Sequence, residues 1–184
     1  MRYAGAQNFA HNPVPGYDAA ECVLATTVAE ALSNVQKDVR ALGLTLLVYD
    51  CYRPAAAVHA FAEWAKRAKG FDPAHNPRIA PRQLLTDGYI AARSRHSSGG
   101  TVDLTLAEID GTPLEMGTGF DFFDPAAYTV SPKIADRARA NRQKLVKLMR
   151  SHGFSNYSRE WWHFSFDREP FGGKIFNFPI TERQ

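Results

Sequence analysis

Two short stretches alternate between apolar and polar residues, and no other feature limits the fold so tightly. In Thr101–Leu106, Val102, Leu104 and Leu106 fall on one side of an extended chain, and Thr101, Asp103 and Thr105 on the other. In Trp161–Phe166, Trp162, Phe164 and Phe166 share one side, and Trp161, His163 and Ser165 the other. Half-buried strands need partners, so the pattern predicts a sheet. Leu44–Tyr49 is apolar apart from Thr45 and reads as a further, buried strand.

The rest of the pattern is helical. Val28, Ala31, Leu32, Val35, Val39 and Leu42 share one helix face, Thr27 and Glu30 have the spacing of a capping box, and Gly43 provides the stop. Pro54 suits a first helical turn ahead of Ala55–Lys69. Ile134–His152 is amphipathic and ends at Gly153. Gly70–Arg82 and residues 117–131 read as loops, and Asp110-Gly111 as a hairpin-type turn. Helices and strands are intermixed without a regular βαβ rhythm. This predicts an α+β fold with a central, mainly antiparallel sheet flanked by helices, as a single domain over residues 1–184.

Composition removes several function classes. Lys and Arg total 22 against 19 Asp and Glu, and the basic residues are scattered rather than gathered. The densest set, Arg137, Arg139, Arg142, Lys144, Lys147 and Arg150, is interleaved with apolar residues at helical spacing. It reads as a solvated helix face, with a phosphate-binding face as the alternative, and no nucleic-acid partner is expected. No stretch approaches the roughly 18–20 apolar residues of a membrane span. Cys22 and Cys51 are too few for a disulfide scaffold or a zinc site of the CxxC type. They are either one bridge, worth roughly 3 kcal/mol for such a loop, or two buried thiols.

The chemistry gathers around two of the six histidines. The segment Ser94-Arg95-His96-Ser97-Ser98-Gly99-Gly100-Thr101-Val102-Asp103 sets a histidine on a Gly-rich turn and an aspartate on the strand leaving it. Glu160-Trp161-Trp162-His163 sets a second histidine on a strand with a glutamate just ahead. If the two strands pair, His96, Asp103 and His163 converge. Two imidazoles and one carboxylate suit a catalytic zinc ion with a fourth position for water. Glu160 would then serve as the base that takes the water's proton. The alternative is a buried polar cluster with Glu160 at the surface.

These segments, together with Tyr49-Asp50-Cys51-Tyr52-Arg53-Pro54, Met116-Gly117-Thr118-Gly119-Phe120-Asp121 and weaker matches at both ends, resemble the zinc D-alanyl-D-alanine dipeptidases. That group lies within the wider zinc D,D-peptidase family, which shares S-x-H-x-x-G-x-x-x-D and E-x-x-H. The resemblance implies one Zn2+ per chain held by His96, Asp103 and His163, with Glu160 as general base and later proton donor. It implies that Arg53 stabilises the developing oxyanion, Asp121 receives the substrate's ammonium group, and Tyr3 and Ser94 line a small pocket. From the residues alone, Arg53 could instead pair with Asp50, and Asp121 could cap a turn.

The function implied is hydrolysis of the small dipeptide D-Ala-D-Ala, for wall-peptide recycling or glycopeptide resistance. The alternatives are a D,D-carboxypeptidase or endopeptidase acting on longer peptidoglycan peptides, and a non-catalytic binder of wall fragments. The first residues lack the apolar core of a secretory signal. The chain is therefore expected to be cytoplasmic or already trimmed. The cysteine pair resembles one in exported relatives, which favours a periplasmic origin.

Overall fold

A computed structural model describes residues 1–182. Four strands form one open sheet in the order β1-β2-β4-β3, where β1 is Leu44–Asp50, β2 Thr101–Glu108, β3 Phe154–Asn156 and β4 His163–Phe166. Every pairing is antiparallel, and Asp103 of β2 lies opposite His163 of β4. On the other side of β2 the register with β1 slips between Val48 and Asp50, so that Asp50 also faces Asp103. A bulge of this kind re-aims side chains. Here it sets Asp50, Asp103 and His163 in one row across three strands.

Helices α1 (Thr26–Ala41) and α4 (Asp136–Arg150) pack on the sheet and on each other. Val28, Val35 and Val39 meet Val102, Leu104, Leu106, Leu145, Met149 and Phe164 in the larger core. A second core joins the irregular N-terminal lead-in to α2 (Ala55–Arg67) and the short α3 (Gln83–Thr86), through Tyr3, Phe9, Tyr17, Phe61, Leu84 and Phe123.

Several boundaries differ from the sequence reading. The Thr27–Glu30 capping box does not form; the N-cap is Ala25 and no side chain caps the turn. Ala25 N–H donates instead to Gly99 C=O at 3.0 Å, so a tertiary contact sets the entry to α1. Leu42 lies beyond the helix and is 55% exposed. Strand β4 begins only at His163, and Trp161 and Trp162 are both buried in the turn before it. Arg142 is not on a solvated face. It is fully buried, donating to the carbonyls of Met116, Ala126 and Tyr128 at 2.7–2.9 Å and to Thr118 Oγ1 at 3.3 Å. It thereby pins residues 116–128, an otherwise irregular loop, to α4.

Strand β1 is an edge of the sheet. The side-chain amide of Gln36, from α1, lies along it: Gln36 Oε1 accepts Leu46 N–H at 2.9 Å and Nε2 donates to Thr45 Oγ1 at 3.0 Å.

Candidate metal centre and active site

His96 sits in a single tight turn, Arg95–Ser98. Ser94 opens that turn, its Oγ accepting His96 N–H at 3.3 Å, and Gly99 closes it with φ 73, a conformation glycine takes without strain. The ring is fully buried. Its Nδ1 lies 2.6 Å from Cys51 C=O, and because a carbonyl only accepts, Nδ1 carries the proton. Nε2 therefore presents a lone pair on the other side.

That lone pair points toward Asp103 Oδ1 at 3.3 Å and His163 Nδ1 at 3.3 Å, and His163 Nδ1 lies 3.1 Å from the same Asp103 oxygen. One ligand atom from each residue falls within 4.8 Å of the other two. Asp103 Oδ1 is buried yet has no hydrogen bond of acceptable geometry among the described residues. An orphaned carboxylate oxygen facing two imidazole nitrogens fits a divalent metal ion, and His96, with its far nitrogen tied to a carbonyl, is oriented as metal-ligating histidines usually are. Burial pushes the Asp103 carboxyl up, but the imidazoles of His96 and His163 outweigh it and hold it well below the usual carboxylate range.

Glu160 stands beside this group, with Oε2 3.5 Å from His163 Nδ1. Burial raises its carboxyl to about 7, with His163 opposing and the Asp103 charge adding to the rise. A carboxylate poised there is suited to taking and returning a proton. The turn that presents it is held by Asn156, whose Nδ2 donates to the carbonyls of both Glu160 and His163 at 3.0 Å.

Arg53 follows β1 and reaches back into the site. Its guanidinium lies 2.9 Å from Asp50 Oδ2 and 3.4 Å from Asp103 Oδ2, and it rests over the rings of Tyr3 and Phe61. Tyr17 Oη donates to the other Asp50 oxygen at 2.7 Å. The Arg53–Asp50 pair is thus real, and it fixes the guanidinium at the pocket rather than removing it.

Asp121 is 4% exposed, and its backbone φ of 55 is left-handed, an uncommon state for a residue with a side chain. It caps no turn through its side chain; Tyr3 Oη donates to its two oxygens at 3.1 and 2.9 Å. Burial, reinforced by the charge on Asp103, pushes its carboxyl well above the usual range. No base lies within ion-pair distance of it among the described residues. His75 Nδ1 donates to its carbonyl at 3.2 Å, and His75 C=O accepts Phe123 N–H at 2.7 Å, bracketing the strained residue.

Tyr3, Arg53, Ser94, Asp103, Asp121, Glu160 and His163 all line one cavity of about 310 Å³. Of the metal-ligating, catalytic and substrate-binding residues singled out from the sequence, all but His96 are therefore on its wall. Cys22 and Cys51 are joined in a disulfide. Sequence reasoning missed the anchoring roles of Tyr17, His75, Arg142 and Asn156. Asp50 was visible to it only as a partner for Arg53. None of the other four carries a local signal, since each acts through a partner distant in sequence or through backbone groups.

Two imidazoles and a carboxylate, beside a half-buried proton acceptor and a small polar pocket, do the work of a metallopeptidase, and that is the class this sheet and its cavity define. Comparison with known sequences narrows it. The profile of peptidase family M15, the D-Ala-D-Ala dipeptidases, matches residues 1–181, and the chain belongs to that family. It is 38% identical over 183 residues to a D-alanyl-D-alanine dipeptidase of Enterococcus faecalis, covering 98% of this chain and 91% of the relative. It is likewise 38% identical over 183 residues to one of Streptomyces coelicolor, with the same coverage. An Escherichia coli D-alanyl-D-alanine dipeptidase is 32% identical over 164 residues, covering 89% and 76% of the two chains. The crystal structure of a mutant vancomycin-resistance D,D-pentapeptidase, VanY, in complex with Zn(II) superposes with a TM-score of 0.46 at 16% identity, covering 85% of this chain and 83% of that one.

Proposed function

We propose that this chain hydrolyses the peptide bond of D-alanyl-D-alanine, with one zinc ion held by His96, Asp103 and His163. The observation that carries the substrate reading is Asp121: a buried carboxylate with no basic partner among the described residues, sharing one small cavity with Glu160, Asp103 and His163. A free ammonium group is the partner such a carboxylate lacks, and an acylated amine would leave it unpaired.

When bound, zinc supplies a Lewis acid that lowers the pKa of a coordinated water and polarises a peptide carbonyl. Glu160 accepts the attacking water's proton and delivers it to the departing amine. Arg53, held by Asp50 and Asp103, presents a fixed positive charge to the oxygen on which negative charge develops, and costs no reorganisation in doing so. Asp121 and Tyr3 hold the ammonium end, and Ser94 offers a hydroxyl at the mouth of the His96 turn. The cavity suits a small D,D-dipeptide. A disulfide between Cys22 and Cys51 supports a periplasmic location, because such bonds persist in oxidising compartments. Among the described residues no helix is long and apolar enough to cross a membrane.

The test is alanine release from D-Ala-D-Ala and from its N-acetyl derivative, with zinc-loaded and chelator-stripped protein and the bound zinc counted. Zinc-dependent cleavage of the free dipeptide alone, at one zinc per chain, is expected. Equal cleavage of the acetylated form would assign the chain to longer wall peptides. No cleavage by folded, zinc-loaded protein would overturn the reading.

A further inference from the structure

Cys51 occupies an unusual position. It follows Asp50, the last residue of β1 to pair with β2, so no strand ladder holds it. Yet its carbonyl accepts the Nδ1–H of His96 at 2.6 Å, and both residues are fully buried. Two residues further on, Arg53 N–H donates back to His96 C=O at 3.3 Å. Three backbone segments meet here: 22–25, 50–53 and 96–99. Single hydrogen bonds link them, from Tyr52 N–H to Val23 C=O at 2.9 Å and from Ala25 N–H to Gly99 C=O at 3.0 Å. The disulfide is the covalent link between the first two segments.

We propose that the Cys22–Cys51 disulfide is a positioning element of the metal centre: it holds the Cys51 carbonyl against His96, so that disulfide and metal strengthen one another. The inference rests on the reading of His96, Asp103 and His163 as zinc ligands. The carbonyl sets both the tautomer and the ring orientation of His96, and removing such a partner from a ligating histidine typically weakens metal binding about 10–100-fold. A disulfide that served only as a staple would act by restricting the unfolded chain. It would raise the melting temperature and leave the metal affinity of the folded protein unchanged. Metal affinity therefore separates the two roles.

The experiment measures zinc affinity by chelator competition for the wild-type chain and for C22A/C51A. Both are kept in sucrose, which favours the compact state, so that a weakened fold stays populated. Absorption spectra of the Co2+-loaded proteins report the ligand geometry. We expect zinc to bind about 10-fold more weakly in the variant, with an altered cobalt spectrum. A folded variant with zinc affinity within twofold of wild type would overturn the proposal.

A second measurement needs no variant. Two glutathione thiols pass two electrons and two protons to the disulfide, leaving the Cys22 and Cys51 thiols and one glutathione disulfide. The midpoint of this exchange is compared with and without saturating zinc, also in sucrose. Coupling is reciprocal, so a tenfold effect on zinc must appear as a shift of about 30 mV toward more reducing potential. An unmoved midpoint would equally overturn the proposal. Zinc binding that ignores the disulfide sinks this inference alone, whereas a wild-type chain that binds no zinc sinks the proposed function with it.

Discussion

Replacing Asp121 by Asn tests the substrate reading with little change of shape. The amide keeps an oxygen for the Tyr3 hydroxyl and loses only the charge. In the wild-type chain this carboxyl is buried and pushed well up, chiefly by desolvation. Part of the attraction for an ammonium group is therefore spent on ionising it. A charge-assisted hydrogen bond contributes roughly 1.5–3 kcal/mol; taking about 2 kcal/mol as the remainder, kcat/KM for D-Ala-D-Ala should fall about 30-fold. Stability should move the other way. A folded-state pKa above the ordinary 3.8 means that the folded chain binds this proton more tightly than the unfolded chain, so the group costs stability as pH rises from about 4 through its folded value. The variant, which has no charge to bury, should melt above wild type at neutral pH. The assay couples alanine release to D-amino acid oxidase and adds N-propionyl-D-alanine, a competitor of the dipeptide's shape without its ammonium. Its inhibition constant should change less than about twofold, well inside the 2 kcal/mol expected for the ammonium. Unchanged kcat/KM in the variant, or a loss of competitor affinity as large as the loss of activity, would refute the assignment.

Glu160→Gln should lower turnover by about 10²–10⁴, the usual yield of general base catalysis, while bound zinc measured by atomic absorption stays at the wild-type level; loss of the metal would make Glu160 a ligand instead. Arg142→Met should cost about 3 kcal/mol in urea denaturation, because buried carbonyls of the 116–128 loop are left without donors, and it should raise KM since that loop carries Asp121. Asp124 is pushed up by burial, but the Arg78 guanidinium and Ala126 N–H outweigh this and hold it below 3.8. Its contribution to stability is therefore complete above about pH 4 and is lost as pH falls through the lower folded value. Arg78→Ala should flatten that part of the stability–pH curve, and an unaltered acid limb in thermal melts would count against the pairing.

The convergence of His96, Asp103 and His163 was legible because it depends on local periodicity. Alternation on β2 and β4 sets Asp103 and His163 on matching faces, and one antiparallel pairing brings them opposite each other. The short strand β3 was not legible, since three residues of Phe154–Asn156 hold too little pattern. The start of α1 was misread because a backbone bond from Ala25 to Gly99 outcompetes the local Thr27–Glu30 signal. Arg142 looked like its exposed neighbours on α4, and only the carbonyls of the loop preceding that helix make its burial tolerable. Strand ends, too, were set by packing: Trp161 and Trp162 carry the alternation of a strand but are both buried in a turn.

The amide of Gln36 laid along β1 bears on how this chain avoids self-association. Leu44–Asp50 is rich in branched and aromatic side chains and has an open side, the kind of edge that recruits strands from other molecules into aggregates. Gln36 offers that edge a counterfeit peptide group, engaging Leu46 N–H and the Thr45 hydroxyl before a stranger can. The protection lasts only while α1 stays docked. Loosening of that one helix, well short of unfolding the sheet, is thus the event that would expose a template for fibrils, and shelf life at high concentration would follow its opening rather than the melting temperature.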